Sequence, residues 1–196
     1  MNRRQIIIVI ILTAVVAVFL SVLIVTTIHD VNSQMEQESF KKLANTSKYL
    51  AHEIKKSADS DRAILTAMAA TIARMENPDN EKLCEVFNTF RFDGSYISFT
   101  ELLFPDNTML YPDGMVRDVS ETLDFTGEAA AGAYISNLMP STLNADEMVI
   151  RHAVPVIHSG KTIYILYGVI RHSDLAANYR TDIYDGQAHV FIEDGD

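Results

Sequence analysis

The chain has 196 residues, 48% of them apolar and 21% charged, with a formal net charge of −10. That balance belongs to a folded chain rather than a disordered one, and the acidic excess argues against nucleic acid or an anionic lipid surface as partner. One cysteine, Cys84, excludes an internal disulfide and any multi-cysteine metal site.

Residues 6–28 form an apolar run without a charge, Arg3 and Arg4 precede it, and Asp30, Glu36 and Glu38 follow. A bilayer core of about 30 Å needs roughly 20 helical residues, so this run predicts one transmembrane helix. A cleaved signal peptide is the alternative, but its apolar stretch is usually only about 7–15 residues. The basic residues predict a cytoplasmic tail at residues 1–5 and an extracytoplasmic remainder. Leaving the two tail arginines out, 14 basic residues stand against 26 acidic ones, a charge of −12 outside the membrane.

Residues 29–76 contain neither proline nor glycine, and the apolar positions Phe40, Leu43, Leu50, Ile54, Leu65, Met68, Ile72 and Met75 recur near the helical period. This predicts a long stalk helix. Ser47, Ser57 and Asp61 interrupt the stripe, which weakens it as a coiled-coil seam. Asn77-Pro78-Asp79-Asn80-Glu81 ends that helix and opens a shorter one, with Asn77 as the expected cap and Pro78 at the first helical position. Leu83, Val86, Phe87 and Phe90 form its apolar face. Phe92-Asp93-Gly94 is a turn.

The period then changes to two. Strands are expected at residues 96–104, 108–111, 133–138, 148–157 and 162–170, with a loose segment at 115–123 and a short helix over 124–131 closed by Gly132. His158-Ser159-Gly160-Lys161 joins the last two strands as a hairpin. Both are apolar on both faces, so the sheet is expected to be covered on two sides. Residues 172–179 predict a helix leaving the sheet, and residues 184–196 a turn and one more strand. The fold class is α+β: a transmembrane helix continuing into a stalk, then an antiparallel sheet with covering helices.

The stretch Leu123-Asp124-Phe125-Thr126-Gly127-Glu128-Ala129-Ala130-Ala131-Gly132-Ala133-Tyr134-Ile135-Ser136, followed by the apolar hairpin around Gly160-Lys161, resembles the extracytoplasmic Cache domains, PAS-like sensors of bacterial transmembrane receptors. The resemblance implies a sensor domain over residues 77–175, then a linker and the start of a truncated second PAS-like subdomain at 176–196. It implies a piece of a longer receptor that passes ligand occupancy to a cytoplasmic output module. A diguanylate cyclase is favoured there, with a histidine kinase or chemoreceptor next. Pairing of such stalks implies a homodimer. Cache domains that bind amino acids or amines carry an Arg-x-Trp motif and a late-strand aspartate. This chain has no tryptophan, no arginine near Glu121-Thr122-Leu123 and no aspartate near Gly168-Val169.

The sequence shows no enzyme. It has no Gly-rich phosphate loop and no Gly-x-Ser-x-Gly elbow, and His52-Glu53 lacks the second histidine of a helical zinc site. No catalytic residue, cofactor or metal ligand is therefore assigned; His152, on a strand, and His158, in a turn, are poorly placed to share a metal. For binding a small molecule, the candidate residues are Glu101, Asp124, Tyr134, Arg151 and Tyr167. Arg151 sits among Met148, Val149, Ile150, Ala153 and Val154 and needs a partner, either a ligand carboxylate or an internal acid such as Glu101. Glu101 is expected to share a strand face with Ile97, Phe99 and Leu103. Tyr134 and Tyr167 offer hydroxyls at strand positions, as Tyr164 does, and Asp124 is either a pocket acid or the cap of its helix. A membrane-tethered binding or assembly module without a ligand switch is the alternative. A pilin-like subunit is disfavoured, because residues 1–12 lack the early glutamate and the glycine cleavage site.

Overall fold

The computed structural model describes residues 3–92 and 94–178. The element order is α1 Arg3–Ala73, α2 Asn80–Thr89, β1 Phe99–Leu103, β2 Thr108–Leu110, β3 Val116–Asp118, α3 Phe125–Ala131, β4 Tyr134–Ile135, β5 Met139–Pro140, β6 Met148–His158, β7 Lys161–Arg171 and α4 His172–Asn178. Asp93 of the expected turn and the expected strand at 184–196 lie outside the described residues.

Two compact units divide the chain, residues 1–52 and 53–196. The first carries the apolar run, which is long and apolar enough by length and composition to cross a membrane. Its hydroxyls bond back into their own helix: Ser21 donates to the Ala17 carbonyl at 2.8 Å, and Thr26 and Thr27 to that of Leu23. Such closure spares the hydroxyls a partner that lipid does not offer.

In the second unit the antiparallel sheet runs β3-β2-β1-β7-β6-β4, with β5 also paired to β6. The two longest strands, β6 and β7, are its centre. They meet through Ser159 and Gly160, whose φ values of 50° and 76° are the left-handed pair that a tight hairpin requires. Alternation along the strands separates two cores. One gathers Leu65, Met68 and Ile72 of α1 and Leu83, Val86 and Phe87 of α2 against Leu102, Val154, Val156, Leu166 and Ile170. The other, on the opposite face, gathers Leu103, Met109, Tyr111, Val119, Leu123, Val149, Ala153, Ile165, Tyr167 and Val169. The sheet is thus covered on both sides, as its doubly apolar strands demand.

Several local expectations are corrected. Asn77 does not cap α2: at φ 48° it ends the turn after α1, and Asp79 caps instead, accepting from the Lys82 N–H at 2.9 Å. The loose segment contains β3, which pairs with β2 although all three of its residues are exposed. An exposed edge strand needs no apolar alternation, so none signals it. Ile97 lies outside β1 and packs in the α1-side core, away from Glu101. Its Cδ1 would stand 2.6 Å from a Cβ at position 168, and Cδ1 of Leu65 2.9 Å. Gly168 is what lets α1 and the Ile97 segment close onto β7.

Asp61 is 1% exposed on α1, and neither carboxylate oxygen has a partner at full hydrogen-bond geometry among the described residues, the Ser95 hydroxyl being only nearby. Burial holds its carboxyl above the ordinary value of 3.8, opposed only by the Ser95 hydroxyl. A carboxyl raised in the fold gives stability that is complete below the unfolded value and is lost as pH rises through the folded one. Asp61→Leu is expected to stabilise the domain at pH 7 by about 1–3 kcal/mol, the cost of an unsatisfied buried polar group. The difference in melting temperature between variant and wild type should narrow as pH falls towards 3.8.

Candidate functional site

Strand register assembles a polar cluster on the α3 side of the sheet. Tyr167 of β7 lies opposite Glu101 on β1 and opposite Ala153 on β6, and Ala153 lies opposite Tyr134 on β4. These four form one row across the sheet. Arg151 lies one row further along, opposite Val169. Because side chains two apart on a strand share a face, Arg151 reaches the Glu101 row.

The Arg151 Nε donates to Glu101 Oε1 at 2.7 Å, and both side chains are 1% exposed. Nη2 of Arg151 donates to Thr142 Oγ1 at 3.1 Å, and that hydroxyl donates to Glu101 Oε2 at 3.4 Å. The Arg151 backbone N–H donates to Ser136 Oγ at 2.9 Å. Burial pushes the Glu101 carboxyl up against the pull of the Arg151 guanidinium. Two buried groups are left over, because neither Arg151 Nη1 nor the Tyr111 hydroxyl has a hydrogen-bond partner among the described residues. Tyr111 is 1% exposed; burial pushes its phenol up, and the nearby Thr142 hydroxyl, short of full hydrogen-bond geometry, pulls the other way.

Helix α3 covers the row. Asp124 is its N-cap, accepting from the Gly127 N–H at 2.8 Å, and the Phe125 N–H donates to Asn107 Oδ1 at 2.8 Å. None of its seven residues is fully buried. Phe125 and Ala129 pack partly on the core, and Glu128 supplies the polar link. Its Oε2 accepts from the hydroxyls of Tyr134 and of Tyr167, the latter at 2.7 Å. Burial first, and the Glu128 carboxylate second, push both phenols well above their ordinary range. The Arg151 Cζ lies 5.9 Å from the Tyr167 ring centre, which joins the two halves of the cluster.

Four of the five sequence candidates, Glu101, Tyr134, Arg151 and Tyr167, therefore meet in one network. Asp124 is excluded from it because its carboxylate is spent on its own helix terminus. Tyr164 points to the opposite face, edge-on to Phe104 at 5.2 Å. His152 also faces the α1 side as a buried imidazole, its pKa lowered by burial and then by Arg62, while His158 at the hairpin tip donates to the Ala73 carbonyl at 2.7 Å. Sequence reasoning missed Tyr111, Glu128 and Thr142. Glu128 was visible as an acid inside a short helix otherwise made of small and apolar residues; Thr142 sits in a loop with no periodic signal.

Neither a protein-family model nor a curated protein matches the sequence, but solved structures match the architecture. The chain is similar to the ligand-binding domain of the Pseudomonas aeruginosa amino-acid chemoreceptor PctC in complex with GABA, at 16% identity and a TM-score of 0.56, over 74% of this chain and 67% of that one. It is similar to the ligand-binding domain of the Campylobacter jejuni chemoreceptor Tlp3 in complex with 4-methylisoleucine, at 15% and 0.59, over 72% and 62%. The ligand-binding domain of Mlp24 with asparagine matches at 14% and 0.56, over 74% and 62%.

The fold is the PAS-like Cache fold.

The antiparallel sheet and covering helices expected from the resemblance are present, an α+β arrangement consistent with that fold. This chain spans just over three fifths of the Tlp3 and Mlp24 domains. The preference for a diguanylate cyclase output finds no support among these Cache-fold neighbours, which include chemoreceptor domains and a methyl-accepting chemotaxis protein.

Proposed function

We propose that this chain is the extracytoplasmic ligand-sensing region of a membrane-bound receptor anchored by an N-terminal span, and that it binds a small molecule between α3 and the sheet. The observation that carries the reading is the pair of orphaned donors. Among the described residues, Arg151 Nη1 and the Tyr111 hydroxyl are buried without hydrogen-bond partners beside a network whose other members are satisfied, and a buried polar group without a partner is costly unless something completes it. Small-molecule sites combine such convergent polar groups with apolar walls, here Leu103, Val119, Leu123, Val149 and Val169. The Cache fold supports the reading, since its solved examples PctC, Tlp3 and Mlp24 are ligand-binding domains.

Arg3 and Arg4 before the apolar run support a cytoplasmic N-terminus. Occupancy would be passed along α1, whose segment with Leu65, Met68 and Ile72 packs on the sheet. A ligand acts there only through different affinities for two arrangements of that helix. The stalk is the segment through which a homodimer would form. Crosslinking of engineered stalk cysteines in a Cys84→Ala background should change on addition of a binder, and an unchanged pattern would rule this transmission out.

The direct test is a melting screen of the full chain in detergent against a broad metabolite library. A binder at about 100 times its dissociation constant should stabilise the fold by about 2.7 kcal/mol. Tyr167→Phe should remove that shift while the protein still melts cooperatively. A flat library result would leave the cluster as a structural staple and favour the tethered module without a ligand switch.

A further inference from the structure

Among the described residues two acids are buried in the domain, Glu101 and Asp61, each 1% exposed. Glu101 meets a guanidinium, whereas Asp61 meets no cation among the described residues. Residues 57, 61, 65, 68 and 72 of α1 follow one another at spacings of three or four, which puts them on one helix face. Leu65, Met68 and Ile72 of that face pack against the sheet, so Asp61 holds a position in the seam where an apolar side chain belongs. One turn before it the Ser57 hydroxyl is buried as well. Ser57 Oγ and both oxygens of Asp61 lack a partner at full hydrogen-bond geometry among the described residues. One turn after it Leu65 meets β7, its Cδ1 2.9 Å from where a Cβ at position 168 would stand. The segment before β1 spans both places. The Ser95 hydroxyl lies near Asp61, Ser95 Oγ accepts from the Ile97 N–H at 2.9 Å, and Ile97 Cδ1 closes over Gly168. A charge on Asp61 therefore acts on the contact by which α1 seats.

No ionisable group on the surrounding elements answers that charge. On α1, Asp59 and Arg62 are exposed, and Arg62 donates to the Ala133 carbonyl at 3.5 Å. On α2, Lys82 is exposed beside Asp79; on the following loop Arg91 is exposed and Tyr96 half-buried. On β6 the charge felt by His152 is that of Arg62. On β7 Arg171 pairs with Glu147 at 3.1 Å. On α4 His172 is exposed, and Asp174 accepts from the Ser98 hydroxyl at 2.7 Å. Burial and then the Ser95 hydroxyl are what act on the Asp61 carboxyl, and burial prevails. A buried carboxyl without a counter-charge takes up a proton in preference to burying its charge.

We propose that Asp61 is a proton-binding site that governs how α1 seats on the sheet. Protonated, the carboxyl lets residues 61–72 and the 95–97 segment close over Gly168; ionised, it parts them from β7. A carboxyl held above 3.8 in the closed form binds its proton more tightly there. Closure is therefore complete below 3.8 and weakens, by up to tenfold in the opening constant per pH unit, as pH rises to the closed-form midpoint. Beyond that midpoint it is level. His152 acts in the opposite sense, because a lowered imidazole makes the fold lose stability as pH falls below 6.5. The proton is the only ligand this device needs, so it stands or falls separately from the small-molecule reading above.

The test is amide hydrogen exchange of the full chain in detergent, followed peptide by peptide across the range from about pH 4 to about pH 8. Wild type is compared at each pH with Asp61→Asn, which keeps the size and stays neutral, and with Asp61→Leu, which belongs to the seam. Comparison at one pH cancels the intrinsic exchange chemistry and the contribution of His152. Wild-type peptides covering residues 61–72 and 95–97 should exchange faster than those of either variant, the ratio climbing by up to tenfold per pH unit and then levelling. Peptides of residues 123–136, on the other face of the sheet, should keep a ratio near one. A ratio for residues 61–72 that does not change with pH, against whichever variant folds, would overturn the proposal. A ratio that climbs equally in every peptide would overturn it too, since the charge would then only destabilise the whole domain. Carboxyl carbon resonances supply the independent check: the signal missing from Asp61→Asn should titrate above 3.8, and titration at or below that value would sink the idea.

Discussion

Arg151→Met is expected to destabilise the domain by about 3–5 kcal/mol, because it leaves Glu101 charged, buried and without its partner. Glu101 is 1% exposed, and after the substitution its one remaining hydrogen bond comes from Thr142 at 3.4 Å. Burial already pushes this carboxyl up, with the Arg151 charge the largest force against it. Removing the guanidinium therefore drives Glu101 towards its neutral form, and the loss should shrink as the medium is acidified. The decisive comparison is the double variant Arg151→Met with Glu101→Leu. Replacing a whole buried pair by apolar groups of similar volume is often neutral or stabilising, so the double variant should recover most of the loss. Thermal melts of wild type, both single variants and the double variant, followed by near-ultraviolet dichroism of the tyrosines, measure the coupling. A double variant as unstable as Arg151→Met alone would mean that the pair itself contributes net stability. The same double variant should abolish ligand-induced melting shifts, which separates a role in binding from a role in holding the sheet.

The second large effect is expected at the helix–sheet contact. Leu65→Ala should cost about 2–5 kcal/mol, the transfer term plus the cavity left behind. Leu65 is fully buried in the core formed by α1, α2 and the sheet. Its Cδ1 occupies the space that a side chain at position 168 would need. Nothing on β7 can fill the hole, because the residue beneath it is a glycine. Gly168→Ala in the wild-type background should also destabilise, since its Cβ would sit 2.9 Å from Leu65 Cδ1 and 2.6 Å from Ile97 Cδ1. Overpacking of this kind typically costs about 1–3 kcal/mol, softened where flexible side-chain ends can move. Combined, the two substitutions should be less harmful than their sum, because the first removes one of the clashes created by the second. Strict additivity would mean that α1 does not seat on β7 through this contact.

Much of this molecule is legible along the chain. The uncharged run of residues 6–28, the long proline-free and glycine-free helix after it, the Ser159-Gly160 hairpin and the doubly apolar strands β6 and β7 are local or periodic signals, and the structure follows them. Arg151 stands out in the sequence as a charge among apolar neighbours that needs a partner, and Glu101 is an acid available to it. Less legible were elements whose formation depends on a neighbour. β3 is exposed throughout and exists only because β2 offers it an edge. β4 and β5 are two residues each, too short for any period. Ile97 lies beyond the start of β1, so alternation counted through it assigns the wrong face.

The sequence by itself determined the class of this protein: an apolar span, a long helix, then an antiparallel sheet apolar on both faces, with one buried cation and acids available to meet it. Those properties follow from periodicity, propensity and the cost of burying charge, all of which act along a single strand or helix. Tertiary structure alone decided which acid Arg151 takes, that Tyr134 and Tyr167 converge on Glu128, and that Asp124 is spent as a cap. It also decided that Tyr111 and Arg151 keep donors with no partner among the described residues. The reason is register. Residues 101, 134, 153 and 167 enter one row only once four strands have paired, and no local pattern in the chain encodes how they line up.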